Sequence, residues 1–584
     1  MENETNEILQ NFLQQTGENG GELELVQPTL EKSGVTLLRS IKLDKRKDHG
    51  KDKHVVILGA GIAGLTLAHE LLTGTQYKVT IIEAQEHLGG RSLTLRPGDR
   101  FTEEIKIENR IIKVVQKCNF DKKGITGTPY LNAGPGRIPS GHRNVLNYCK
   151  ALKVELEVYV MESRSNIIKT KDKPPVVNRR LANDPRGYFA EFLYKNAEAF
   201  LEYAKEKDDE PSNLDKLDEQ QVKKWLISFG SLNDEGIFEK TSRSGYRVLP
   251  GTGTGIIESR LKFSEMLASR FWELNFYQPE GFPWQTTSFQ PVGGMDKIVT
   301  ALWDKIAPFV RKNRLRLHEN SPVVKIKKVK NNWVVAHGDH RVVADYCISN
   351  IPIPLLKDKI DISDFTPDYG NALQKVIDAK KFLSPTCKVG WQSDRSYWQN
   401  PKDKNVVPIY GGISRISETR MVQMWYPSND YHDNSGILTG AYNYGTNATE
   451  WGKIIPAERI EDARIGASLI HPGEFSKQLK HGISIAWQNI KYLKGGWADW
   501  NELEKSSANK DISIVQERAG VYNQLQKEDN GFFITGDQVS RLPGWQEGAM
   551  ASALQIYGLI KYPDLIKPIK LERVPDTRLL ILGE

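Results

Sequence analysis

The segment from His54 to Arg91 reads HVVILGAGIAGLTLAHELLTGTQYKVTIIEAQEHLGGR, and its pattern leaves few folds open. Val55–Leu58 is a short apolar run rich in β-branched residues, as a buried parallel strand requires. Gly59-Ala60-Gly61-Ile62-Ala63-Gly64 follows at once, and Leu65, Leu67, Ala68, Leu71 and Leu72 then recur at helical spacing. Lys78–Ile82 predicts a second strand, which ends at Glu83, about 20 residues beyond the glycines. Gly59 permits the tight turn, Gly61 lets a pyrophosphate approach the backbone, and Gly64 lets the helix pack closely on the strand. The helix then turns its N-terminal N–H groups and positive dipole end toward the phosphates. A glycine trio alone is common in turns. In register with strand, helix, strand and acid, it describes a dinucleotide-binding unit whose Glu83 accepts ribose hydroxyls.

Composition narrows what such a unit serves. The chain has 584 residues, enough for more than one structural unit. Its 80 basic and 73 acidic residues are interspersed and leave a net charge of only +7, which speaks against a nucleic-acid partner. The densest basic stretch, Lys45–Lys53, reads as a solvated linker ahead of the first strand. Cys118, Cys149, Cys347 and Cys387 lie far apart with no metal-ligand spacing, so neither a metal site nor a disulfide scaffold is expected. The first residues lack a basic-then-apolar leader pattern, and no apolar run approaches the ~18 residues of a membrane span. A cytoplasmic protein without membrane contact is the expectation.

Periodicity divides the rest. Helical spacing runs through Gly187–Tyr194 and Val222–Phe229 to about Leu274. Gln290-Pro-Val-Gly-Gly-Met-Asp-Lys is a turn before an amphipathic helix carrying Ile298, Leu302 and Ile306. From Arg314 to Gly338 alternation predicts antiparallel strands. Asp345–Pro352 predicts a buried strand, residues 384–445 are strand-rich, and Ala457–Ile470 is helical. A late strand lies in Gly531–Asp537, with a helix from about Gln546. Nucleotide-binding elements therefore stand at both ends of the chain, and the domain they form must be discontinuous.

Four further segments carry a resemblance. Leu88-Gly89-Gly90-Arg91 resembles the second flavin fingerprint of the amine oxidase superfamily. Asn132-Ala-Gly134-Pro135-Gly136-Arg137-Ile-Pro resembles the segment holding the carboxylate-binding arginine of flavin-dependent L-amino acid oxidases. Pro291-Val-Gly-Gly-Met-Asp resembles the start of their central helix, and Gly536-Asp537 with Pro543-Gly544-Trp545-Gln546 resembles their C-terminal flavin segment. In this order they are similar to bacterial L-amino acid oxidases, kin of the amino-acid 2-monooxygenases.

That resemblance implies an α/β fold with a discontinuous Rossmann-type FAD-binding domain, an inserted α+β substrate-binding domain and a helical region. The expected divisions are an arm over 1–53, FAD-binding parts over 54–140, 291–350 and 506–584, a helical and substrate-binding region over 141–290, and a substrate-binding domain over 351–505. FAD would lie against Gly59, Gly61, Ala63, Gly64, Glu83, Ala84, Gly90, Arg91, Gly134, Pro135, Gly136, Arg137, Val323, Gly536, Asp537, Gly544, Trp545 and Gln546. Val323 would contact adenine through its backbone and Asp537 the ribityl chain. Backbone N–H groups at Gln546 and Glu547 would favour negative charge on the reduced ring.

The resemblance also implies the chemistry. Arg137 and Tyr442 would hold the substrate carboxylate, Lys388 a water beside flavin N5, the Gly544 carbonyl the amine, and Trp497 with Trp545 the side chain and ring. Gly136 departs from the family, where many members carry Met or Ala, and leaves space before the arginine. The expected reaction is oxidative deamination of a free L-amino acid: hydride leaves Cα for N5, water hydrolyses the imino acid, and O2 becomes hydrogen peroxide. The site residues nominate no side-chain base. A 2-monooxygenase, an amine or polyamine oxidase, and a flavoprotein without turnover are the competing readings. Aromatic residues over Phe271–Phe289, with Trp497 and Trp500, suggest large apolar or aromatic substrates; Asp499 and Glu273 would instead suit a basic one. A homodimer is the base-rate expectation.

Overall fold

The computed structural model describes residues 50–576 except 109, 208–218, 282–283, 285–286, 401–406, 506–511, 564–567 and 569. The expected N-terminal arm therefore lies, up to residue 49, outside the described residues, as does part of the last stretch.

At the centre is a five-stranded parallel sheet. Its strand order in space is Leu315–His318, Lys78–Ile82, His54–Leu58, Tyr346–Ser349 and Phe532–Ile534. Every neighbouring pair is parallel. Strands at residues 54, 315, 346 and 532 thus share one sheet, which requires the chain to leave and return three times. The predicted helix runs over Ile62–Gly74, and its leucines are buried to within 1% of full burial. That face packs with Ile298, Leu302 and Ile306 of the helix Lys297–Ile306 and with Met550, Ala553 and Ile556 of the C-terminal helix Gln546–Lys561. On the sheet's other face, Val56, Leu58, Cys347 and Phe532 pack with Trp333, Tyr369, Leu373 and Trp500.

Leu315–His318 corrects one expectation. The alternating Arg314-Leu-Arg-Leu pattern predicted antiparallel pairing, but this strand pairs in parallel with Lys78–Ile82. It is the sheet's edge, buried on one side only, so it alternates as a half-covered antiparallel strand would. Antiparallel pairing begins afterwards, in the hairpins of Val323–Val329, Asn332–His337 and His340–Ala344.

The second unit is a seven-stranded mixed sheet whose longest ladder joins Thr386–Asp394 to Ser435–Tyr444. In that ladder Lys388 stands directly opposite Tyr442, on one face. A smaller sheet pairs Ile138 with Phe289 and Tyr159 with Ser288, which fixes the chain immediately after Arg137. Helix Asn178–Lys195 follows the sheet's edge strand Val176–Val177, and helix Glu219–Gly230 packs on that helix through Ala190 and Leu226. No helix among the described residues is long and apolar enough to cross a membrane. The four cysteines are buried and unpaired.

Candidate active site

Three adjoining cavities run from the parallel sheet into the mixed sheet. The first, about 910 Å³, is a groove lined by Gly59, Gly61, Ala63, Glu83, Ala84, Gly90, Arg91, Val323, Gly536 and Asp537. It lies at the carboxyl ends of the parallel strands, where open α/β sheets bind nucleotides. Gly59 sits at φ +100°, in the left-handed region that glycine tolerates. The helix Ile62–Gly74 begins here with glycine at its cap, no side chain covering its N–H groups and no acid in its first turn. Glu83 joins the ends of the motif, accepting from Ala60 N–H at 2.7 Å and Gln85 N–H at 2.9 Å. Burial pushes its carboxyl upward, and these donors partly offset that. Gly64 does not line the groove: a Cβ there would lie 2.2 Å from the Gly59 carbonyl oxygen, so its work is packing.

The second cavity is the junction. Arg91, Ser92 and Asp537 from the groove meet Gly134, Pro135, Lys388, Tyr442, Trp497, Gly544, Trp545 and Gln546 here. Arg91 donates to both carboxylate oxygens of Asp537 and, at 2.7 Å, to the Gly496 carbonyl. Asp537 also accepts from Gly544 N–H at 3.0 Å, which ties the C-terminal loop to Arg91. Gln546 donates to Ser92 at 2.9 Å, while its carbonyl oxygen is buried without a partner. Glu547 turns the other way: it accepts from Asn144 and Val145 N–H and from the Asn144 amide, capping the helix Arg143–Ala151. Burial raises that carboxyl to about 7.

The third cavity, about 1260 Å³, holds Arg137 at its inner end. The guanidinium is buried and forms no ion pair or hydrogen bond among the described residues; its Nε is fully enclosed. Three indoles surround it, with ring centroids at 4.4 Å for Trp284, 4.9 Å for Trp425 and 5.2 Å for Trp545. Their faces attract the cation and keep it aligned without neutralising it. Burial lowers its pKa to about 10, still charged at neutral pH. Such a cation stays costly until an anion reaches it. Tyr442 and Tyr159 share the cavity; burial pushes the Tyr442 hydroxyl well up and that of Tyr159 to about 12, so both are neutral donors.

Lys388 stands between junction and cavity. Its Nζ lies 4.9 Å from the Tyr442 ring centre and donates to the carbonyls of Asn132, at 3.0 Å, and Gly134. Burial, helped by Arg137, lowers its pKa to about 7. In its neutral form the amine has two N–H bonds, and the two carbonyls use both. Its lone pair is then available to accept a hydrogen bond within the cavity.

The expected residues thus converge, apart from a few. Trp500 is a core residue donating to the Gln538 carbonyl at 2.8 Å, packed on Phe382 and Tyr522, and not a cavity wall. Asp499 caps a short turn and Glu273 pairs with Arg270 at the surface, so neither lines the cavity. Open space lies beside Gly136, as its departure from the family implied. Sequence reasoning missed Trp425 and Tyr159, which line the cavity, His142 beside Trp545, and Asn350, which lines the groove at the end of the Tyr346–Ser349 strand. His142 meets the Trp545 ring at 4.8 Å, and burial with Arg137 beside it lowers its pKa to about 3. Trp284 falls in the aromatic interval already singled out, without a role assigned there.

Residues 62–556 match the family described as flavin containing amine oxidoreductase, and the chain belongs to that family. It is 22% identical to YobN of Bacillus subtilis, a provisionally named L-amino-acid oxidase, over 86% of this chain and 94% of that one. It is 24% identical to the L-amino acid oxidase bordonein-L of Crotalus durissus terrificus, covering 86% of each. Among solved structures, cyclohexylamine oxidase from Brevibacterium oxydans matches with a TM-score of 0.51 at 14% identity, over 88% of this chain and 99% of that one, a likeness of fold.

The cofactor is FAD, and the residues present fit it. The groove is walled by glycine backbone, with Gly90 facing Gly61 so that a Cβ there would lie 3.6 Å from the Gly61 Cα. An uncapped helix N-terminus suits the pyrophosphate. The buried, unpartnered Gln546 carbonyl oxygen stands at the junction, where a ring N–H would satisfy it.

Proposed function

We propose that this flavin amine oxidoreductase oxidises free L-amino acids with large apolar or aromatic side chains to 2-oxo acid, ammonium and hydrogen peroxide. The observation that carries this reading is the unpaired Arg137 guanidinium in the third cavity, against Trp545, which also lines the junction. A simple amine brings no anion and would leave that buried charge uncompensated. A carboxylate pairs with it through two parallel hydrogen bonds, and the Tyr442 hydroxyl donates a third. The names of YobN and bordonein-L support the same substrate class.

FAD, when bound, supplies the two-electron acceptor for the substrate's Cα hydride. The chain's residues bind and orient. Arg137 and Tyr442 fix one end of the amino acid, and the Gly544 carbonyl is placed to accept from its amine. Lys388, through the lone pair of its neutral form, holds a water at the junction. Trp497 and Trp545 shape the apolar wall and exclude bulk solvent, while open space beside Gly136 gives the side chain room. Overall, RCH(NH3+)CO2− with O2 and H2O gives RCOCO2−, NH4+ and H2O2.

Arg137→Met tests the assignment. We expect kcat/KM for amino acids to fall by roughly 100-fold or more, as loss of a charged pair requires, with much of the loss in KM. Unchanged kcat/KM would sink it. Product analysis separates the decarboxylating reading: stoichiometric carboxamide with little peroxide would replace the oxidase by a 2-monooxygenase.

A further inference from the structure

The cavity that ends at Arg137 carries a second buried arginine at its outer end. Arg395 is 3% exposed and lines the cavity. Its Nε donates to the Ser435 carbonyl at 2.8 Å, one Nη is buried without a partner, and no carboxylate pairs with it among the described residues. Gly436 makes the slot in which it lies: a Cβ there would sit 3.0 Å from the guanidinium carbon. Asp430 lines the same end at the rim, held in a left-handed turn at φ +47° and accepting only from the neighbouring Asn429 amide, at 2.8 Å. The other nearby acids are engaged: Asp433 accepts from Thr126, and Glu157 accepts from Gln290 at 3.0 Å.

The two ends are too far apart for one small molecule. Tyr442 and Ser435 stand seven positions apart on one strand, roughly 23 Å at about 3.3 Å per residue. An amino acid seated on Arg137 and Tyr442 does not reach Arg395. The outer end therefore presents a cation and an anion of its own, near each other but not paired.

We propose that this outer end is a second binding subsite, taking a zwitterionic α-amino acid with its carboxylate on Arg395 and its ammonium at Asp430. The inference rests on the reading of the inner end as an amino-acid site. The subsite stages incoming substrate, and it discriminates at the mouth, since the 2-oxo acid product has no ammonium for Asp430.

Calorimetric titration of the FAD-loaded enzyme with α-aminoisobutyrate tests this, because that amino acid lacks a Cα hydrogen and is not oxidised. The wild type should bind two equivalents. Arg395→Gln should bind one, Asp430→Asn should weaken one site by about tenfold or more, and Arg137→Met should lose the other. One equivalent in the wild type, undiminished in Arg395→Gln, overturns the outer subsite and leaves the inner reading standing. Two equivalents retained in Arg137→Met overturn the inner reading instead. Should Arg395→Gln fail to fold or to hold FAD, the rim variant Asp430→Asn decides: two unchanged affinities there overturn the subsite.

Discussion

The side chains of the substrate cavity act by charge placed where water is scarce. Arg137 lies against three indole faces, so under the proposed function each indole would contribute to carboxylate binding through the cation it orients. Trp425→Leu removes one face and should raise KM for amino acids by about 3- to 30-fold while kcat changes little. A change confined to kcat would contradict that. Lys388 gives a pH prediction with a definite sign. Burial lowers its pKa from 10.5 to about 7, so between those values the unfolded chain holds a proton that the native chain does not. Stability from this group therefore rises with pH across that window. The melting temperature of the wild type relative to Lys388→Met should climb between about pH 7 and pH 9, and a flat difference contradicts the assignment. Arg137 and Lys388 were legible because their motifs carry them. Trp425 and Tyr159 were not, since isolated aromatic residues on strands read as ordinary core until the fold brings them to an arginine far away in sequence.

At the level of single elements, local chemistry was readable where one segment contains its own logic. The strand Lys78–Ile82 has the predicted bounds, because apolar run, glycine turn and terminal acid lie in one stretch of chain. Leu315–His318 was misread because alternation reports one-sided burial, and an edge strand shows that in either direction of pairing. The glycine turn also yields a stability test. Gly64→Ala puts a methyl 2.2 Å from the Gly59 carbonyl oxygen, a backbone atom, with the Ile57 side chain 3.3 Å away. Separating helix from strand should cost about 1–3 kcal/mol and strip FAD from the purified protein. Full flavin occupancy with an unchanged melting temperature would show that the contact relaxes freely.

The whole molecule joins parts remote in sequence around one path from groove to cavity. Residues near 60, 91, 137, 323, 388, 442, 497 and 545 meet along it. The discontinuous nucleotide fold was legible because its fingerprints lie at both ends of the chain. The join between the two sheets was not, because it depends on the contacts of Lys388 with the Asn132 and Gly134 carbonyls, on that of Arg91 with the Gly496 carbonyl, and on strand register. FAD would bridge segments from both ends, so its removal should lower the melting temperature by several degrees, and added FAD should restore it in a concentration-dependent manner.

In the proposed function the cavity selects a carboxylate beside the amine. Anaerobic mixing of the FAD-loaded enzyme with an L-amino acid and, separately, with the amine made by its decarboxylation tests this most directly, since the two differ only in the group that Arg137 would hold. Rapid bleaching of the flavin absorbance by L-phenylalanine or L-leucine, with phenethylamine or isoamylamine slower by about 100-fold or more, is the predicted result. Bleaching by the amines at an equal or greater rate would contradict the account.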